Sequence, residues 1–519
     1  MKKSEAPLFN EPSGFHRWHN VWAVCNEAAA KHERSSTMKK RTIYQNRSQE
    51  LLSLFEQAGN SSKVMCIPID FAKKDHVVMF CNGYGDILRK PFSVKNSQMG
   101  VAYLTDQVMR FCCHHRIKKE HVFFGGEDAQ SYAENFINTL RSEGFLVASV
   151  NAYEAKKQRE NLQASTDRLD LMGIAVMLLN RRANCAPAQA GTYLNLRTLV
   201  RHRKKLVKIK TGVSNRIHTL IDRLFPGFLD EKMSGIKPFS KSSLYFMSDR
   251  FSAQQICRRR RSTLIKHLRR FGTKRVENVA TKLQAYAKQV LIPLEEHTAT
   301  LQLSLSYNIK HYRCLQENID HLEKEIALIL SQTQGAFLTS IKGIGIVLSA
   351  GVTAEIGNPF TQKPLNNLVS YAGIIPRVKQ SGGSEGQPYM GRVSKRNNHI
   401  LKDYVVQSAF HIGRYGPKDL LLDYKRREAQ GQHADFGMGR RFMRMAMCMM
   451  RTSQVYLPLR LRGNRVDQRD KAEYYLSIWP LLKEKWKRAD AFKSAFEKDR
   501  PLGRWRKTVQ HLYDIKLDM

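Results

Sequence analysis

A chain of 519 residues is long enough for two to four domains. Its 86 Lys and Arg against 46 Asp and Glu leave a formal net charge of +40 and a pI near 10.0, an imbalance that points to a polyanionic partner. The hydrophobic content of 42% is that of a globular protein, no apolar run is long enough to span a bilayer, and Met1-Lys2-Lys3 leads into polar sequence instead of the apolar core of a signal peptide, so neither a membrane span nor a signal peptide is expected.

In chain order, residues 1–60 read as a basic N-terminal extension. Lys39-Lys40-Arg41 precedes an amphipathic helix through Leu51, Leu52, Leu54 and Phe55. Residues 61–190 read as an α/β domain. Val64–Asp70 is an apolar strand that ends in a carboxylate; His76–Cys81 and Ile87–Val94 add two more strands across an Asn82-Gly83-Tyr84-Gly85 turn. A helix from about Ser97 to His115 leads to a fourth strand, His121–Glu127, again ending in a carboxylate. A helix over 129–142, a strand Phe145–Val150 and a helix opening at Thr166-Asp167-Arg168-Leu169-Asp170 complete the set. The order βββαβαβα is that of the ribonuclease H-like (RuvC-like) fold, in which the first and fourth strands are neighbours.

Residues three apart share a helix face, so Asp167 and Asp170 present two carboxylates side by side. Such a pair is ordinarily a solvated helix start, where negative charge is welcome. With Asp70 and Glu127 at two strand ends, four carboxylates are expected to meet. Four of them repel unless a cation sits among them, and hard oxygen donors at that density suit Mg2+ or Mn2+. The nine cysteines (25, 66, 81, 112, 113, 185, 257, 314, 448) are scattered and read as reduced, buried thiols. Cys112-Cys113-His114-His115 lacks zinc-site spacing and reads as structural.

Residues 191–334 read as a basic helical and coiled-coil region. Arg197, Arg201, Arg203, Lys204 and Lys205 form one candidate nucleic-acid cluster, and Arg258, Arg259, Arg260 and Arg261 a second; residues 226–245 read as a loop between helices. From Tyr312 the apolar positions Leu315, Ile319, Leu322, Ile326 and Ile329 step by three and four, a heptad seam that serves either an antiparallel hairpin within the chain or a dimer contact. Residues 335–460 read as a mostly helical domain. Ser340–Gly345 resembles a helix–hairpin–helix turn, whose glycines let backbone amides approach a phosphate, with Lys342 beside them. Arg377 to Ser384 forms a loop in which Ser381 lies between Lys379 and two glycines, ahead of Arg392, Lys395 and Arg396. Residues 461–519 form a basic, aromatic C-terminal extension with Tyr474, Tyr475, Trp479, Trp486, Trp505 and Tyr513, suited either to stacking on nucleic acid or to packing inward.

Taken together, these blocks resemble the DEDD-type insertion-sequence transposases related to the Piv site-specific invertase, some of which are bridge-RNA-guided recombinases. The resemblance spans roughly residues 64–455. It rests on Ile69-Asp70, Glu127-Asp-Ala-Gln-Ser-Tyr132, Thr166-Asp167-Arg-Leu-Asp170, Ile341-Lys-Gly-Ile-Gly345, Tyr371-Ala-Gly-Ile-Ile-Pro376, Gln380-Ser381-Gly382 and Val393-Ser-Lys-Arg-Asn397-Asn398. Departures are Gln130 for a glycine, Asn397 for a glycine and Lys402 for an arginine. The resemblance implies a DNA transposase or recombinase in which Asp70, Glu127, Asp167 and Asp170 bind the metal and Ser381 attacks a DNA phosphate to form a phosphoserine. It further implies double-stranded DNA as substrate, a bridge-type guide RNA as a possible partner, a homo-oligomer (dimer or tetramer), and a cytoplasmic, prokaryotic location on nucleoid DNA.

Three other classes compete. A metal-only ribonuclease H-like nuclease or resolvase explains the four acids but leaves Ser381 without a role. A tyrosine recombinase would use His411-Ile-Gly-Arg414 and Tyr456, yet a single HxxR is a weak signal. A non-catalytic nucleic-acid-binding derivative would have no need of the acids.

Overall fold

The structure, a computed structural model, describes residues 47–127, 132–151, 154–155, 167–185, 191–248, 251–360, 365–379, 389–393, 397–431, 433–463 and 466–519. The chain divides between residues 188 and 189 into two compact units, each with its own core.

The first unit is built on a five-stranded sheet in the order β3-β2-β1-β4-β5. Its strands are β1 (Met65–Asp70), β2 (Asp75–Asn82), β3 (Ile87–Lys95), β4 (Val122–Glu127) and β5 (Leu146–Ser149). The first three form an antiparallel meander, whereas β1–β4 and β4–β5 are parallel, so the mixed α/β expectation and the adjacency of the first and fourth strands both hold. The period-two alternation of buried side chains splits the apolar surface between the two faces of the sheet. Met65, Ile67 and Ile69 join one core with Val101 and Leu104 of α2 (Gln98–His115) and Phe136 and Leu140 of α3 (Glu134–Ser142). Cys66 and Phe123 join the other, with Leu51 and Phe55 of α1 (Gln49–Ala58) and Leu171, Ile174 and Leu178 of α4 (Asp167–Leu179). Ser97 caps α2 by accepting a hydrogen bond from Gly100 N at 3.1 Å, and Arg116 ends the helix in the left-handed conformation at φ 53°.

The second unit opens with α5 (Gly191–Leu224), which pairs with α11 (Glu295–Leu330). Arg203 donates to Glu323 at 2.7 Å, Lys210 to Gln316 at 2.7 Å and Arg216 to Asn308 at 3.3 Å, so partner numbers fall as α5 advances and the two helices run antiparallel. Leu315, Ile319 and Ile326 of the heptad seam are buried. The seam therefore finds a partner in its own chain, and the dimer-contact reading, on which an oligomer interface at this seam rested, does not hold. Between the two long helices five short ones, α6 (Glu231–Ser234), α7 (Lys241–Met247), α8 (Ala253–Arg258), α9 (Arg261–Arg270) and α10 (Val276–Ala287), pack around Phe225, Phe228, Leu264, Leu268 and Leu283. The segment 226–245, read as a loop in sequence, thus carries α6 and the start of α7.

The other end of the hairpin belongs to a larger core. It is built by α12 (Ile346–Ile356), α13 (Leu365–Tyr371), α14 (His399–Tyr415), α15 (Lys418–Ala429), α16 (Ala434–Thr452), α17 (Gln468–Lys487), α18 (Phe492–Ala495) and α19 (Pro501–Tyr513). A two-stranded hairpin, β6 (Pro376–Lys379) with β7 (Tyr389–Val393), lies between α13 and α14. Residues 461–519 are not an appendage. Tyr475, Trp479, Trp486 and Trp505 are buried in this core, which decides between the two sequence readings in favour of inward packing. The expected helix–hairpin–helix turn is preceded by a 3-10 helix, Gln334–Ser340, with Gly343 at φ +92°, and α12 follows. Lys485 of α17 supports it from beneath, donating to the carbonyls of Thr339, Ile341 and Ile344 at 2.5, 3.0 and 2.8 Å. Burial pushes the Lys485 ammonium down to about 8.

Candidate active site

Asp70 is the last residue of β1 and Glu127 the last of β4, and the parallel register pairs them directly. Two glycines make this end of the sheet possible. A Cβ on Gly125 would lie 2.3 Å from a methyl of Leu178, so a larger residue would require that side chain of α4 to shift; a Cβ on Gly126 would lie 2.1 Å from the carbonyl oxygen of Ile69. The first four positions of α4 carry Asp167 and Asp170, and the helix packs against β1, β2 and β4. Asp170 stands one turn before Ile174 and two before Leu178, on the stripe that faces the sheet, and its Oδ1 is buried. The fold thus pairs Asp70 with Glu127 and packs the helix that carries Asp170 on the same two strands. The side chain of Asp167 is outside the described residues. The donor chemistry, carboxylate oxygens alone, suits a hard divalent cation. Among the described residues no three His, Cys, Asp or Glu side chains close into a group able to hold an ion, so any metal site needs adjustment or the fourth acid.

Ser381, Lys395 and Arg396 lie outside the described residues, as do the side chains of Lys379 and Arg392 on β6 and β7. The described stems of this segment are held from both sides. Tyr371 O accepts from Asn398 N at 2.8 Å, and Gly373, at φ +64°, packs so closely on Asn397 that a Cβ there would lie 2.3 Å from it. Asn398 also caps α14, its Oδ1 accepting from Ile400 N and Leu401 N at 3.1 Å each.

The first basic cluster is largely committed to the fold. Arg201 makes a two-pronged pair with the fully buried Glu355, Nε to Oε1 at 2.8 Å and Nη2 to Oε2 at 2.9 Å; Arg197 stands 3.6 Å from Oε2. Arg203 pairs with Glu323 and Lys204 with Asp403 at 2.5 Å, leaving Lys205 exposed. In the second cluster Arg258, Arg260 and Arg261 are exposed and Arg259 is half-buried; Lys342 is exposed as well. Sequence reasoning missed Glu355. The signal was there: Ile346-Val-Leu-Ser-Ala-Gly-Val-Thr-Ala-Glu355-Ile is an apolar helix with a single charge, and a charge in such a helix requires partners. Burial alone would raise Glu355, but hydrogen bonds from Arg201 and Asn398 and the charges of Arg197 and Arg201 outweigh it and hold the carboxyl below its ordinary range.

Tyr456 is ill suited to act as a nucleophile. It is buried, its hydroxyl donates to Asp419, and burial followed by that carboxylate pushes its pKa far up.

Comparison with known proteins agrees on a class, the insertion-sequence transposases. Residues 67–226 match a transposase model of the DEDD IS110 type, and residues 335–422 match the model described as "Transposase IS116/IS110/IS902 family". Over these two stretches the chain is similar to transposases of the IS110/IS116 type. It is 24% identical over 302 residues, 57% of this chain and 73% of the relative, to the "Insertion element IS116 uncharacterized 44.8 kDa protein" of Streptomyces clavuligerus. It is 24% identical over 270 residues, 50% of this chain and 64% of the relative, to the "Insertion element IS110 uncharacterized 43.6 kDa protein" of Streptomyces coelicolor (strain ATCC BAA-471 / A3(2) / M145). No helix among the described residues is long and apolar enough to cross a membrane.

Proposed function

We propose that the chain cuts and rejoins the DNA of an insertion element through a covalent phosphoserine, using a ribonuclease H-like unit and a serine-bearing helical unit together. The observation that carries this reading is the pairing of Asp70 with Glu127 at the ends of adjacent parallel strands, with the start of α4 packed on the same strands. The strand order 3-2-1-4-5 supports the ribonuclease H-like assignment. Asp70, Glu127, Asp167 and Asp170 would hold Mg2+ or Mn2+, which supplies charge neutralisation at the scissile phosphate. Ser381 attacks phosphorus through Oγ; the new P–Oγ bond replaces one P–O bond to deoxyribose, the serine gives up its proton and the departing oxygen takes one. Transesterification conserves the phosphodiester, so the reverse attack by a different DNA end completes exchange without an outside energy source. An unassisted serine hydroxyl is a poor nucleophile, which is why both units are needed. Exchange between two duplexes calls for at least a pair of chains. A structured guide RNA is a second polyanion suited to the basic surface; absence of a discrete co-purifying RNA would remove it.

The test uses the full chain, a nicked DNA substrate that traps covalent intermediates, and a divalent ion. Ser381→Ala and Asp170→Asn should both fold and both fail to become linked to DNA, and the linked peptide of the parent should carry Ser381. Linkage through Ser384, Ser394 or a tyrosine would move the nucleophile to that residue, and metal-dependent cleavage retained by Ser381→Ala without covalent linkage would replace this reading with that of a metal-only nuclease.

A further inference from the structure

Glu355 is the only charged residue of α12, yet its side chain is fully buried and has partners on three sides. Arg201 holds both its oxygens from α5, and Arg197 adds charge from one turn earlier. Asn398 Nδ2 donates to Oε2 at 2.7 Å and lies 2.9 Å from Tyr371 Oη. Tyr371 ends the helix before β6, and Asn398 caps the helix after β7. One buried carboxylate therefore touches, directly or through one amide, both stems of the hairpin segment that contains Ser381.

We propose that Glu355, Asn398 and Tyr371 form a positioning cluster that fixes the aim of the Ser381 segment, with Arg201 anchoring it to the long basic helix α5. The proposal rests on the reading of Ser381 as nucleophile. A buried ion pair is often no more stabilising than a well-packed apolar pair, so stability is a weak account of its presence. The amide of Asn398 also separates two duties between its two ends: Oδ1 caps α14, and Nδ2 reaches Glu355 and Tyr371. Misplacement of a reacting group by about 1 Å costs on the order of a hundredfold in rate, so a loosened stem should show in chemistry before it shows in binding.

Asn398→Asp separates the two duties. It keeps the capping oxygen and replaces the donor with an oxygen that repels Glu355. On the nicked substrate, with DNA binding and thermal unfolding followed on the same preparations, Asn398→Asp should link to DNA at least about tenfold more slowly while affinity for DNA stays within about twofold. Asn398→Ala should lose linkage and stability together. Should the aspartate variant fail to fold, Tyr371→Phe decides: it removes one hydroxyl from a half-exposed ring and should slow linkage about threefold or more at an unchanged unfolding temperature. Full linkage rates in folded Asn398→Asp, or in Tyr371→Phe where the first does not fold, would overturn the cluster while leaving Ser381 in place. Linkage that survives in Ser381→Ala, run alongside, would overturn both.

Discussion

At the scale of single residues, two glycines do as much for the candidate site as the acids. Gly125 and Gly126 sit directly before Glu127, where any side chain would meet Leu178 on α4 or the Ile69 carbonyl on β1. The second neighbour is backbone, which cannot rotate away as a side chain can. Gly126→Ala should therefore pry β4 from β1 at the point where Asp70 and Glu127 are paired. The expected cost is about 1–3 kcal/mol in denaturant unfolding of the first unit, accompanied by loss of metal-dependent DNA linkage. An alanine variant with parental stability and parental linkage would mean that the close approach is not needed. In sequence these glycines read only as the end of a strand. Strand-end acids can be read from a string of letters because a carboxylate after an apolar run stands out; the space that a Cβ would fill cannot, because it is set by Ile69 on β1 and Leu178 on α4, both distant in sequence.

At the scale of elements, periodic patterns were the most legible part of the chain. The three-strand meander, the capped helix starting after Ser97 and the apolar stripe of α4 all emerge with boundaries close to those expected. The heptad seam was legible as a seam but not as to its partner. An antiparallel α5–α11 hairpin and a dimer present the same apolar spacing, and the cross-pairs from Arg203 to Glu323, Lys210 to Gln316 and Arg216 to Asn308 distinguish them. Charge misled in the same place. Arg201 and Arg203 look like phosphate ligands because the acids that claim them, Glu355 and Glu323, lie more than a hundred residues away. A hairpin closed within one chain has a measurable consequence. Leu305 of α11 is fully buried, and Leu305→Ala should cost about 2–5 kcal/mol. Its unfolding midpoint should not move with protein concentration, whereas a seam shared between two chains would make it rise with concentration.

At the scale of the whole molecule the question is where a net charge of +40 meets a polyanion. Much of the basic cluster on α5 is neutralised from within, by Glu355, Glu323 and Asp403. The arginines at the junction of α8 and α9 differ: Arg258, Arg260 and Arg261 are exposed, and further along α9 the side chains of Lys266, Arg269 and Arg270 line a surface hollow of about 530 Å³. Exposed cations can neutralise phosphates and so displace the counterions condensed on DNA or RNA; cations already paired with a protein carboxylate displace few. Binding to a non-specific duplex, followed by fluorescence anisotropy across a salt series, separates the two groups. Replacing Arg258, Arg260 and Arg261 together with alanine should flatten the log–log slope by about one for each phosphate that is no longer neutralised, up to about three. Arg201→Ala should instead lower the unfolding temperature by stranding the buried Glu355 carboxylate, with the slope nearly unchanged. A slope that falls with Arg201→Ala as much as with the triple variant would move the nucleic-acid surface onto α5 and away from the short-helix lobe.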